Sequence, residues 1–183
     1  MDQTDAALVS QARTGDPDAF RALVERHARS LFGLAYRMTG NESDAEDVVQ
    51  ESFLRAYRQL QSFDERASFG TWLYRIAVNR SLDLVRSRGR RTELPAPAAE
   101  APSRDAGPER LALSGEIRQR VAWGMARLSA AERAAFVLRH FEGMPIEEMG
   151  RVLGCQPGAA RHSVFRAVQK LRRALEPALS TVK

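Results

Sequence analysis

Apolar residues recur at three- and four-residue steps along most of the chain. They nowhere sustain a period-two alternation, so the predicted elements are helices and no sheet is expected. The clearest stripe runs through residues 41–60, where Ala45, Val48, Val49, Phe53, Ala56, Tyr57 and Leu60 share one side. Asp44, Asp47 and Glu51, with Gln50 beside them, share another. Asn41 or Ser43 can cap this helix, and acids near its start suit the helix dipole. Upstream, residues 4–13 predict a short helix with Leu8, Val9 and Ala12 inward, stopped by Gly15. Asp16-Pro17 then supplies a capping side chain and a first-turn proline whose missing N–H costs nothing. The long helix it opens runs to about Met38, with Phe20, Leu23, Val24, His27, Leu31, Leu34, Ala35 and Met38 on one side and Gly40 as its left-handed cap.

Residues 61–68 form a polar break. The helix that starts at Phe69 turns Phe69, Leu73, Ile76, Ala77 and Leu84 toward the earlier helices. Trp72, Arg75, Asn79, Arg80, Asp83, Arg86 and Arg88 lie largely elsewhere. Residues 92–108 then hold four of the eight prolines, which no helix continues through. The segment 92–113 reads as a semi-extended linker able to span roughly 70 Å at about 3.3 Å per residue.

Beyond it, a helix holds Ile117, Val121, Trp123 and Met125. Ser129 and Glu132 form a capping box that opens a helix to about Phe141, closed by Gly143. Pro145 starts a short helix ended by Gly154. Pro157 opens a last one to about Leu175, with Ala160, Val164, Ala167, Val168, Leu171 and Leu175 inward. Short helix, glycine turn and longer basic helix are the order of a helix-turn-helix. The expected fold is all-α, with two small helical domains, residues 1–91 and 114–178, joined by the Pro/Ala-rich linker 92–113. The second is a helix-turn-helix of the winged-helix-like DNA-binding class.

Charge sharpens this picture. The net +5 divides into −4 over residues 1–70, +5 over 71–91, −2 over 92–113 and +6 over 114–183. Two basic zones offer two docking places for a polyanion, and an acidic front end suits a different partner. The polar start and the lack of a long apolar run predict a cytoplasmic protein with no membrane insertion. Cys155 is the single cysteine, so no internal disulfide forms. His140, Cys155 and His162 lack a metal-ligand spacing, and no phosphate loop or nucleophile motif occurs. No enzyme activity, metal or cofactor is therefore expected. His27, on an apolar stripe, reads as a core or boundary histidine.

Two segments resemble the extracytoplasmic-function (ECF) sigma factors of the sigma-70 family. They are DAEDVVQESFLRAY (Asp44–Tyr57) and FGTWLYRIAVNRSLD (Phe69–Asp83). A third, Leu128–Leu175, has the length and rhythm of that family's promoter-reading domain. The resemblance implies a dissociable subunit of bacterial RNA polymerase with two helical domains, regions 2 and 4. It implies binding to core polymerase (β′ coiled coil, β subunit) and to promoter DNA, and control by an anti-sigma factor. Asp44, Asp47, Gln50 and Glu51 match the positions that dock on the β′ coiled coil, where a carboxylate stripe offers charge-assisted bonds to arginine.

The resemblance places the next segment on the −10 element, whose bases are captured as single strand. The break Ser62–Ser68 matches the loop that pockets a flipped base. Trp72, with Phe69 nearby, is a stacking or wedge candidate, with core packing as the other reading of each. Arg75, Arg80, Arg86 and Arg88 can hold backbone, and Asn79 a base edge. The last helix is expected in the major groove of the −35 element. Arg161, His162, Ser163 and Arg166 are its contact candidates, with backbone N–H groups near Gly158 and Ala159 for a phosphate and Lys170 on phosphate or in solvent. Ala159, Ser163, Val168, Pro145 and Gly150 depart from the family's common residues, and the arginine absent at Ser163 predicts an unusual −35 element. A stand-alone helix-turn-helix operator-binding regulator is the alternative. It leaves the acidic helix unexplained.

Overall fold

The computed structural model describes residues 4–89 and 119–179, with side chains for 4–87 and 119–176. The expected linker 92–113, Ile117 and the Arg88 side chain lie outside them. Every described element is helical.

Local chemistry fixes the helix starts. Thr4 Oγ1 accepts from Ala7 N at 3.3 Å and caps α1 (Asp5–Arg13). Asp16 Oδ1 accepts from Asp18 N and Ala19 N at 2.9 and 3.4 Å ahead of α2 (Pro17–Thr39). Asn41, rather than Ser43, caps α3 (Glu42–Gln59), its Oδ1 3.0 Å from Asp44 N. With α4 (Phe69–Gly89) these helices enclose Leu23, Leu31, Leu34, Met38, Val48, Leu73 and Val78, all fully buried. Each such side chain contributes about 1.5–3 kcal/mol by leaving water.

Helical residues 119–126 (α5), α6 (Ala130–His140), α7 (Ile146–Leu153) and α8 (Pro157–Leu179) form the second unit around Leu138, Met149, Val152, Ala160 and Ala167. Ser129 and Glu132 make both halves of the capping box, Ser129 N donating to Glu132 Oε2 at 2.8 Å and Glu132 N to Ser129 Oγ at 3.2 Å. Between α7 and α8 the chain turns at Gly154 with φ +65°, a left-handed conformation that glycine adopts without a Cβ penalty. Gly150 serves the same turn differently. Cys155 N donates to Gly150 O at 2.9 Å, and a Cβ on Gly150 would lie 2.8 Å from Cys155 O.

The two units pack on one another. α4 lies along α7, and α2 meets α6. Arg133 is the buried tie, its Nη1 donating to Met38 O at 2.9 Å and its Nη2 to Met125 O at 3.0 Å. Tyr74 Oη donates to Glu142 Oε2 at 2.7 Å, and Thr71 Oγ1 to Glu148 Oε2 at 3.2 Å. Burial and the neighbouring Glu142 carboxylate push the Tyr74 phenol up to about 12, so it remains a donor. Arg37 lies over the Phe141 ring at 4.4 Å, which leaves that exposed aromatic cation-paired across the same seam.

Three placements differ from the sequence expectation. Tyr57 is 58% exposed rather than inward, leaning edge-on against Phe20 at 4.9 Å. Phe63, inside the polar break, is buried after a 3₁₀ turn at Leu60–Ser62. The last helix runs to Leu179.

Candidate nucleic-acid interface

On α3 the acidic positions separate. Asp47 and Gln50 are exposed and Glu51 is half-buried, whereas Asp44 is 8% exposed in the first turn beside its cap. Glu51 accepts from Arg55 Nε at 2.8 Å, and that bond holds its carboxyl below the ordinary value. Leu54, 41% exposed, continues the row one turn further. The solvent-facing row is thus Asp47, Gln50, Glu51 and Leu54. Sequence reasoning missed Leu54, and an apolar residue out of phase with the inward stripe was its only signal.

The next segment is built around a stack of rings. Phe69 is 2% exposed, 6.2 Å from Phe63 and 5.8 Å from Trp72. It is a packing residue, so its expected DNA contact is corrected: its ring has no open face. Trp72 is half-buried and lies on Phe63 at 4.8 Å with 28° between the planes, so Phe63 forms its shelf. Arg75, Asn79 and Arg86 are exposed and Arg80 half-buried. Asp83 lies 3.9 Å from Arg86.

Arg13, at the end of α1, was not anticipated. Its Nε donates to Leu60 O at 3.0 Å, its Nη2 to Phe63 O, and its Nη1 to Glu65 Oε1 at 2.5 Å. One guanidinium thereby pins the loop that carries Phe63, including Glu65 at φ +59°. No spacing links Arg13 to residues some fifty positions away, so only the fold discloses it.

On α8, Gly158, Ala159, Arg161, His162 and Arg166 are exposed and Ser163 half-buried. The Ala159 N–H is turned onto Gln156 O at 2.9 Å, which removes it as an anion donor. Arg166 and Lys170 are engaged within the protein. Lys170 Nζ lies 2.7 Å from Glu132 Oε2, and Arg166 Nε 3.5 Å from Glu132 Oε1.

The start of α8 and the ring segment face one cleft of about 920 Å³, lined by Phe63, Arg66, Thr71, Trp72 and Arg75 on one side and Glu147, Arg151, Gln156 and Pro157 on the other. Three arginines and two aromatic rings, on the helix-turn-helix and on α4 with the loop before it, suit a polyanion with stackable bases. The described residues hold no cluster of His, Cys, Asp and Glu that could bind a metal ion, and none of their helices is long and apolar enough to cross a membrane.

The comparisons with known proteins agree with this arrangement. Residues 23–91 match the model of Sigma-70 region 2, and residues 124–171 that of Sigma-70, region 4. The RNA polymerase sigma-H factor of Pseudomonas aeruginosa is 36% identical over 97% of this chain and 96% of its own length. The ECF RNA polymerase sigma-E factor of Escherichia coli strain K12 is 37% identical, over 95% of each chain. The chain belongs to the ECF sigma factors.

Among solved structures, CnrH in complex with the cytosolic domain of CnrY aligns with TM-score 0.71 and 31% identity over 94% of this chain and 97% of that one. The sigma factor RpoE of Bartonella quintana, solved with the anti-sigma factor NepR, shares the fold at TM-score 0.68 and 23% identity, over 86% and 96%. As a sigma factor the protein is not an enzyme. It binds core RNA polymerase and promoter DNA, and it acts in transcription initiation. A stand-alone operator-binding regulator would not contain region 2.

Proposed function

We propose that residues 1–91 and 114–178 act as two reading units joined by 92–113, the first docking on core polymerase and opening the −10 element, the second reading the −35 element. The region matches at 23–91 and 124–171 support this division. Asp47, Gln50 and Glu51 form the docking face, with Leu54 as its apolar centre. Asp44 supports the helix start from inside. Complementary charge here sets orientation and encounter rate. The protein works in the cytoplasm, where its polymerase is.

Trp72 is the base-stacking residue. The observation that carries this reading is its half-exposed ring on the Phe63 shelf, in a loop pinned by Arg13. Arg75, Arg80, Arg86 and Arg88 hold the strand, and Asn79 faces a base edge. Gly158, Arg161, His162, Ser163 and Arg166 approach the −35 element. Ser163, where the family commonly carries arginine, favours a −35 element unlike the family's commonest one. An anti-sigma protein holds the factor off. CnrH, at 31% identity, was solved with the cytosolic domain of CnrY, and that supports a protein partner for this fold.

Replacing Trp72 with Ala tests the stacking role. A stacked base contributes about 1–3 kcal/mol, so holoenzyme with W72A should open the −10 region roughly tenfold less at saturating core, read by permanganate reactivity of unpaired thymines. Core affinity should not change. Unchanged opening would return Trp72 to plain core packing.

A further inference from the structure

Glu132 caps α6, yet its carboxylate also faces the recognition helix. The side chain is 3% exposed, with Lys170 Nζ at 2.7 Å from Oε2 and Arg166 Nε at 3.5 Å from Oε1. Oε2 accepts the Ser129 N–H as well. Burial alone would raise the Glu132 carboxyl, but Lys170 and Ser129 together hold it below the ordinary value, so it is a carboxylate near neutral pH. A buried carboxylate that loses its cation is costly, whereas Lys170 on a phosphate at the surface gains little. Lys170 therefore stays with Glu132. Arg166 differs. The carboxylate lies 3.5 Å from its Nε and the side chain is 57% exposed, so a held guanidinium keeps donors for a guanine edge, which takes two bonds.

We propose that Glu132 is a positioning residue for −35 reading, which aims the Arg166 fork at a base and keeps Lys170 off the DNA phosphates. This rests on the sigma-factor reading of α8. It converts two of the helix's cations from general phosphate binders into one aimed reader and one silent anchor.

The test uses full-length protein assembled with core polymerase, on a promoter selected from random DNA by the unaltered holoenzyme and on its single-base −35 variants. Glu132→Gln keeps the capping box, which accepts Gln in place of Glu, but removes the charge. E132Q should make log affinity about one unit steeper in log salt, since a freed Lys170 reaches a phosphate and each phosphate neutralised adds about 0.9. Discrimination at one −35 base should fall several-fold, toward that of R166K. K170M should leave the slope of the unaltered protein unchanged and cancel the extra slope in E132Q. A purely structural role would lower stability and move neither slope nor discrimination. An unchanged slope in E132Q, or a slope flattened by about one in K170M alone, would overturn the proposal. Failure of the unaltered protein to form a promoter-bound holoenzyme would instead overturn the sigma reading beneath it.

Discussion

At the scale of single residues, helix starts were legible and side-chain fates less so. Asp16, Asn41 and Ser129 cap where the sequence places caps, because a cap bonds within three residues of itself. Asp44, Phe69 and Tyr57 were harder, because exposure depends on what another helix brings. Gly150 shows the same limit in reverse. As a sequence feature it is a weak point inside a short helix. In the fold it admits the Cys155 carbonyl, and a Cβ would sit 2.8 Å from that oxygen. Ala is the better helix former by about 1 kcal/mol, but the clash is with backbone, which cannot swing aside. G150A should therefore destabilise the protein by about 1–3 kcal/mol in urea unfolding, the range of overpacked sites. A gain in stability would mean that the turn relaxes freely.

Whole helices owe their placement to ties that run far along the chain. α1 is held by Arg13 on the 60–65 loop and by Asp5, which accepts from Arg26 Nη1 at 2.6 Å and pairs with His27 Nε2 at 2.8 Å. The His27 ring also rests on Phe69 at 5.4 Å, so α1, α2 and α4 meet at one boundary histidine. Burial would raise the Asp5 carboxyl, but the Arg26 and His27 bonds outweigh it and hold it below the ordinary aspartate value. A depressed carboxyl stabilises above its unfolded pKa, and that contribution is lost as pH falls through the lower folded one. D5N should cost about 1 kcal/mol at pH 7, with the gap to the unaltered protein closing below about pH 4. Urea unfolding at several pH values measures it. A gap constant with pH would show that the carboxylate charge contributes nothing.

For the whole molecule, the sequence indicated two helical units and their order but not their contact. The seam is made by Arg133 with Met38, Tyr74 with Glu142 and Thr71 with Glu148, pairs separated by 68–95 positions that no local periodicity reports. In this closed form Trp72 and Pro157 line one cleft. Elements named −10 and −35 lie roughly 25 base pairs apart, about 85 Å at 3.4 Å per pair, so both cannot be read from a single cleft. The proposed reading of both elements therefore requires the seam to part. Fluorophores on exposed positions of α2 and α8 should be close in the free protein and move far apart on addition of core polymerase. E142Q combined with E148Q should shift the free protein toward the open form. An inter-dye distance unchanged by core would mean that the closed form is the working one.

The proposed promoter reading depends on α3 being the face that meets polymerase. The deciding measurement is a titration of labelled protein with purified bacterial core RNA polymerase, beside a variant with Asp47 and Glu51 both changed to Arg. Both residues lie away from the buried core, so the variant should fold. Tight binding by the unaltered chain, weakened at least a hundredfold in the variant, is the expected result. Equal binding by the two would contradict the docking face, and no binding by the unaltered chain would contradict the account as a whole.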